Sequence, residues 1–222
     1  MTGGGLPEKP MELWKTMRKM GPSTAGRLSS YTDAVFAVII TIMVLELRPP
    51  ASADFTALLA LWPTVISYVV SYAFIAIIWI NHHYLMGYIS VPSLRLIWLN
   101  FGHLFFVSLL PFATAWMAET VLARGPVVTY ASLFVLTDGM YNLFEREILR
   151  NSSEFSASEY RATRRRSLLA LLLFAVAAGL AAIEPWLGFG VICVALALHL
   201  VPDVSGWRRV PRRARRSRRL AP

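Results

Sequence analysis

The chain has 222 residues, of which 56% are hydrophobic and 16% charged, and it carries a formal net charge of +9. Soluble domains sit near 45–50% apolar and about 25% charged, so this balance excludes an ordinary soluble domain and leaves stretches that can cross a bilayer at roughly 20 residues per helix. In a soluble protein the positive charge would suggest nucleic acid; here a membrane surface accounts for it, and no nucleic-acid partner is expected.

Residues 1–26 read as a cytoplasmic N-terminal segment. They carry Lys9, Lys15, Arg18 and Lys19, but no apolar core follows before Arg27, so no cleavable signal peptide is expected. Within them "MELWKTMRKM" suits a short interfacial helix with Leu13, Trp14, Met17 and Met20 on its apolar side. Next comes "RLSSYTDAVFAVIITIMVLELRPP", Arg27 to Pro50, an apolar run with Asp33 near its start and a lone hydroxyl, Thr41, in its middle. The hydropathy pattern predicts an all-α integral membrane protein with six transmembrane helices, at about 30–47, 60–84, 95–118, 126–145, 167–183 and 186–202. The last two are separated by "IEPWLG", a tight turn, because Pro185 has no N–H to continue a single long helix. Residues 27–202 thus form the membrane domain, and 203–222 a basic cytoplasmic tail, "GWRRVPRRARRSRRLAP" at its core, suited to anionic lipid headgroups. The one cysteine, Cys193, lies in an apolar run and reads as an inert thiol.

Charge distribution sets the orientation. Lys and Arg number five before residue 30, one at Arg95, six from Arg146 to Arg166 and eight after residue 207, and six spans put all of these on one side. Only Arg48 and Arg124 fall on the other. The positive-inside rule makes the first side cytoplasmic and places both termini there. A composition rich in Ala, Arg and Leu points to a bacterial plasma membrane.

Polar residues inside spans are costly in lipid and mark candidate functional positions. Asp33 lies at the cytoplasmic end of span 1, His82 and His83 close span 2 at that end, and Asn100 and His103 open span 3. Asp138 and Asn142 lie in the inner half of span 4, and His199 ends span 6. Three readings fit this layer. A structural network would pair Arg27 with Asp33 and satisfy both with the histidines and Asn100. Metal or haem ligation would use His82 or His83 with His103, and a proton relay would use the same imidazoles. No Gly-rich phosphate loop, His-Glu-x-x-His or nucleophile elbow is present, so neither an enzyme activity nor a cofactor is expected.

Helical spacing from Asp33 puts Ala34, Val38, Thr41 and Leu45 on one stripe of span 1. Small residues and Thr are common at helix contacts in membranes, so a packing face is one reading. The other is a pore wall with apolar rings at Val38 and Leu45 and a hydroxyl ring between them.

At these residues the sequence resembles the transmembrane-protein-175 family of potassium channels. The family's first helix carries Arg, three residues, then Phe-Ser-Asp and Ala; Arg27 and Asp33 fall on that spacing, with Tyr31 and Thr32 in place of Phe and Ser. "WINHH" (Trp79 to His83), "WLN" at 98–100 and "LLPF" at 109–112 resemble its second and third spans, so the likeness runs over about residues 27–115. The resemblance implies six spans per subunit and a homotetramer whose first helices line a central pore, with K+ as the permeant ion. It also implies that selectivity rests on side chains five, eight and twelve residues after the aspartate: Val38, Thr41 and Leu45. Valine at 38 is smaller than the residue such a ring would use, which implies a looser seal. The Arg27, Tyr31, Thr32, Asp33, His82, His83, Asn100 and His103 layer would then hold the inner ends of the pore helices. A proton-coupled transporter, with Pro111 breaking a helix and Asp138 near mid-depth, and a non-conducting scaffold are the alternatives.

Overall fold

The computed structural model describes residues 22–200 apart from 51, 90 and 153–155. Expectations placed on 1–21, on 201–222 and on the His199 side chain fall outside the described residues. All regular structure described is helical: α1 Pro22–Leu45, α2 Phe55–Ala60, α3 Trp62–Met86, α4 Leu94–Ser108, α5 Leu110–Glu119, α6 Arg124–Asn151, α7 Ala157–Ile183 and α8 Pro185–Leu200.

Among the described residues four stretches are long and apolar enough to cross a membrane: Thr24–Leu45, Trp62–Met86, Leu94–Glu119 and Ala157–Ile183. The third combines α4 and α5. Pro111 sits in the first turn of α5, where its missing N–H interrupts the ladder, and Leu109 N–H turns to Phe106 O at 3.2 Å instead. The segment Pro185–Leu198 is apolar but shorter.

Helix α6 is the exception that explains the packing. It carries Asp138, Asn142 and Glu145, all buried, and it touches α3, α4, α5, α7 and α8. Its polar side chains face these neighbouring helices, so it can hold groups that would be costly on a face open to lipid. Its Phe134 stacks on Phe74 of α3 with ring centroids 3.8 Å apart, and Phe174 of α7 meets both rings edge-on. This aromatic trio ties α3, α6 and α7 at the centre of the bundle.

The polar stretch "RNSSEFSASEYRATRRR", residues 150–166, expected as a loop between spans 4 and 5, is mostly helix among the described residues. α6 runs on to Asn151, and α7 starts at Ala157 behind a capping box in which Ser156 Oγ accepts from Glu159 N–H and Ser156 N–H donates to Glu159 Oε2. Hydropathy reports the thickness of lipid a helix crosses, not where its hydrogen bonds stop. The Ser-x-x-Glu signal was legible in the sequence. For the same reason α1 begins at Pro22, ahead of the expected start at 30.

The break at Pro185 is as expected. α7 ends at Ile183, Glu184 takes an extended conformation, and α8 folds back on α7. The return is tight at Gly188, where a Cβ would lie 2.5–2.6 Å from Ala181 N, Cα and Cβ.

Candidate pore helix and the polar layer behind it

One side of α1 is buried and the other is open. Leu28, Thr32, Phe36, Ile39 and Met43 form the buried face, and α1 packs on α3, α4 and α5. Ala34, Val38, Thr41 and Leu45 lie on the opposite side and are all exposed in the single subunit, Val38 at 54% and Leu45 at 79%. At about 100° per residue the two faces are centred roughly 150° apart. Thr41 Oγ1 donates to Val38 O at 2.8 Å. Its only hydroxyl hydrogen is therefore committed to the backbone, and its lone pairs are left for an outside donor or cation.

Behind α1, a directed chain of hydrogen bonds joins three helices. Thr32 Oγ1 donates to Leu28 O at 2.9 Å, so it can only accept from elsewhere. Asn100 Nδ2 of α4 donates to it at 2.9 Å, and Asn100 Oδ1 then accepts from His82 Nε2 of α3 at 2.7 Å. His82 is thereby held as the Nε2–H tautomer. All three side chains are buried.

Asp33 lies outside this chain. Its Oδ1 accepts from Trp79 Nε1 of α3 at 2.9 Å, a partner that sequence reasoning did not assign even though Trp79 stood in the quoted motif. No ion pair between Arg27 and Asp33 is present among the described residues, and Arg27 is exposed. Six residues apart on one continuous helix, the two sit about 120° apart around the axis and about 9 Å along it. The expected pairing needed a break that α1 does not have. Neither histidine takes its place: His83 is exposed and stacks on Trp79, with centroids 5.3 Å apart. Tyr31 packs against Phe101 of α4 at 5.4 Å.

His103 Nδ1 donates to Thr137 O of α6 at 3.1 Å, which leaves its buried Nε2 without a partner. Its ring lies nearly parallel to that of His82, with centroids 5.9 Å apart and 8° between planes. Stacked rings, each with one nitrogen already bonded, do not converge their lone pairs on a shared ion. Among the described residues no group of three or more His, Cys, Asp or Glu is placed to hold a metal.

Two further polar clusters form, of whose members the sequence reading named only Asn142. Arg164 Nη1 of α7 donates to Asn142 O at 2.9 Å and lies 3.4 Å from Glu145 Oε2, while Ser167 Oγ donates to Glu145 Oε1 at 2.7 Å. Thr114 Oγ1 donates to Leu110 O, so Ser71 must donate to Thr114 and Tyr130 to Ser71, both at 2.7 Å. Hydroxyls scattered over three helices give no local signal. Thr114 also borders a cavity of about 100 Å³ behind the C-terminal end of α1, which Glu46, Arg48, Thr64, Tyr68 and Glu119 help to line.

Comparison with known proteins places this architecture. The family described as endosomal/lysosomal potassium channel TMEM175 matches residues 27–111, the stretch that holds most of α1, the polar chain and all of α3 and α4. A protein named potassium channel from Chryseobacterium sp. (strain P1-3) is 30% identical over 181 residues, covering 81% of this chain and 94% of that one. The chain belongs to the TMEM175 family. Its relatives include proteins named potassium channel from Chamaesiphon minutus, 29% identical over 190 residues, and from Streptomyces collinus, 30% identical over 169. They cover 80% and 71% of this chain, and this chain covers 93% and 82% of theirs. A crystal structure of a lysosomal potassium-selective channel TMEM175 homolog from Chamaesiphon minutus superposes with a TM-score of 0.74 at 28% identity, covering 81% of this chain and 97% of that one. TMEM175 is a family of potassium channels rather than enzymes, and this member shares its helical membrane fold.

Proposed function

We propose that this chain is the subunit of a potassium-permeable channel in the cell membrane. Four copies surround a pore lined by α1, and six spans place both termini in the cytoplasm. In this reading residues 27–202 are the channel unit, with 1–26 and 203–222 as its cytoplasmic ends. The open stripe on α1 carries the proposal: an apolar helix that belongs in a membrane leaves Ala34, Val38, Thr41 and Leu45 uncovered on the side away from its own subunit.

Rings of Val38 and Leu45 then act as constrictions that resist wetting, because a narrow apolar passage offers a hydrated ion no ligands. Between them, four Thr41 oxygens, their hydrogens turned to Val38 O, present lone pairs that replace part of an ion's water shell. Potassium gives up water more readily than sodium, so this ring favours potassium. The Thr32, Asn100 and His82 chain and the Trp79–Asp33 bond hold the pore helices in place against α3 and α4.

The test is flux into liposomes under a potassium gradient with valinomycin as control, followed by bi-ionic reversal potentials. Passive flux with potassium above sodium is expected, and Thr41→Ala should shift the reversal potential toward zero preference. Flux that requires a proton gradient would indicate a coupled transporter, and absence of flux a scaffold. An unchanged reversal potential in Thr41→Ala would remove the hydroxyl ring from the account.

A further inference from the structure

α7 sorts its residues cleanly by direction. Ala170, Phe174, Ala177 and Ala181 are buried against α6 and α8. At about 100° per residue, Arg161, Arg165, Leu168, Leu172, Val176 and Ile183 fall on the opposite side, within roughly 80° of one another. All six are exposed, Leu172 at 59% and Ile183 at 73%. One face therefore carries two guanidiniums a helical turn apart, followed by an unbroken apolar stripe. Neighbouring Arg164 is turned the other way, engaged with Asn142 and Glu145. Glu159, the nearest acid on the helix, bonds back to Ser156.

We propose that this face is a binding site for an anionic phospholipid of the inner leaflet. The phosphate sits between Arg161 and Arg165, and one acyl chain lies along Leu168, Leu172 and Val176. Charge and polarity decide the occupant. Bidentate guanidinium groups match phosphate oxygens, and Arg stems lie along apolar surface while their heads stay at the interface. A second copy of the chain is disfavoured because α1, the face open to neighbouring subunits, packs on α3, α4 and α5, whereas α7 packs on α6 and α8. The assignment to the inner leaflet rests on the topology proposed above.

The experiment counts bound lipid on the purified protein by native mass spectrometry, titrating phosphatidylglycerol or phosphatidylcholine with matched acyl chains. Phosphatidylglycerol should bind more tightly, and R161Q/R165Q should weaken it by roughly tenfold or more. R146Q/R150Q removes the same charge from the end of α6, whose exposed stripe is shorter, and should change binding little. Glycerol phosphate should fail to compete, since it has no chain for the apolar stripe. Equal loss in both double variants, no headgroup preference, or full competition by glycerol phosphate would each overturn the site. A change in subunit number in R161Q/R165Q without a change in lipid binding would assign the face to a second copy instead. The count needs no conduction, so a protein that binds the lipid but passes no potassium would sink the channel reading and leave this site standing.

Discussion

Thr32, Asn100 and His82 show how far a single buried amide can reach. Asn100 is the middle link, accepting from α3 and donating to α1. Asn100→Leu would keep the branched shape but strand the His82 N–H in a buried site, at a cost of about 1–3 kcal/mol. Thermal unfolding of the purified protein should register that loss. Adding His82→Phe removes the stranded donor, so the double variant should lose less than the sum of the singles. Strict additivity would mean the three groups do not act as a chain. The participants were legible in the sequence as polar residues sharing one depth, because lipid penalises each of them. Their partners were not legible. Asp33 looked like the partner of Arg27, but an uninterrupted helix turns the two residues to different sides, and an indole N–H from the next span fills the gap.

At the scale of elements, the hairpin between α7 and α8 depends on a close approach that only a residue without a side chain allows. Gly188 sits over the backbone of Ala181, whereas Gly190, two residues on, has nothing within 4 Å of an added Cβ. Gly188→Ala should therefore lower the melting temperature by prying the helices apart, while Gly190→Ala should leave it level or raise it slightly, since Ala is the better helix former by about 1 kcal/mol. Equal effects at both positions would refute the close contact as the reason for the glycine. The turn itself was predictable from Pro185. Helix lengths were not, because polar helices extend beyond the bilayer and hydropathy does not count them: α6 and α7 together occupy most of what composition marked as a loop.

For the whole molecule, the proposed assembly makes a simple demand on mass. The purified protein in mild detergent should weigh four chains plus bound lipid, and a stable monomer would undercut a pore built from α1. Length and apolar content by themselves determined that this chain belongs in a membrane and roughly where four of its apolar helices fall, because the cost of exposing polar groups to lipid acts on each segment separately. The stripe of Ala34, Val38, Thr41 and Leu45 was also written in helical periodicity. Only the tertiary structure decided which side of α1 is covered by its own subunit. It also decided why α6 can bury Asp138 and Glu145, and which donor Asp33 receives, since those outcomes depend on contacts between residues far apart in the chain that no local pattern encodes.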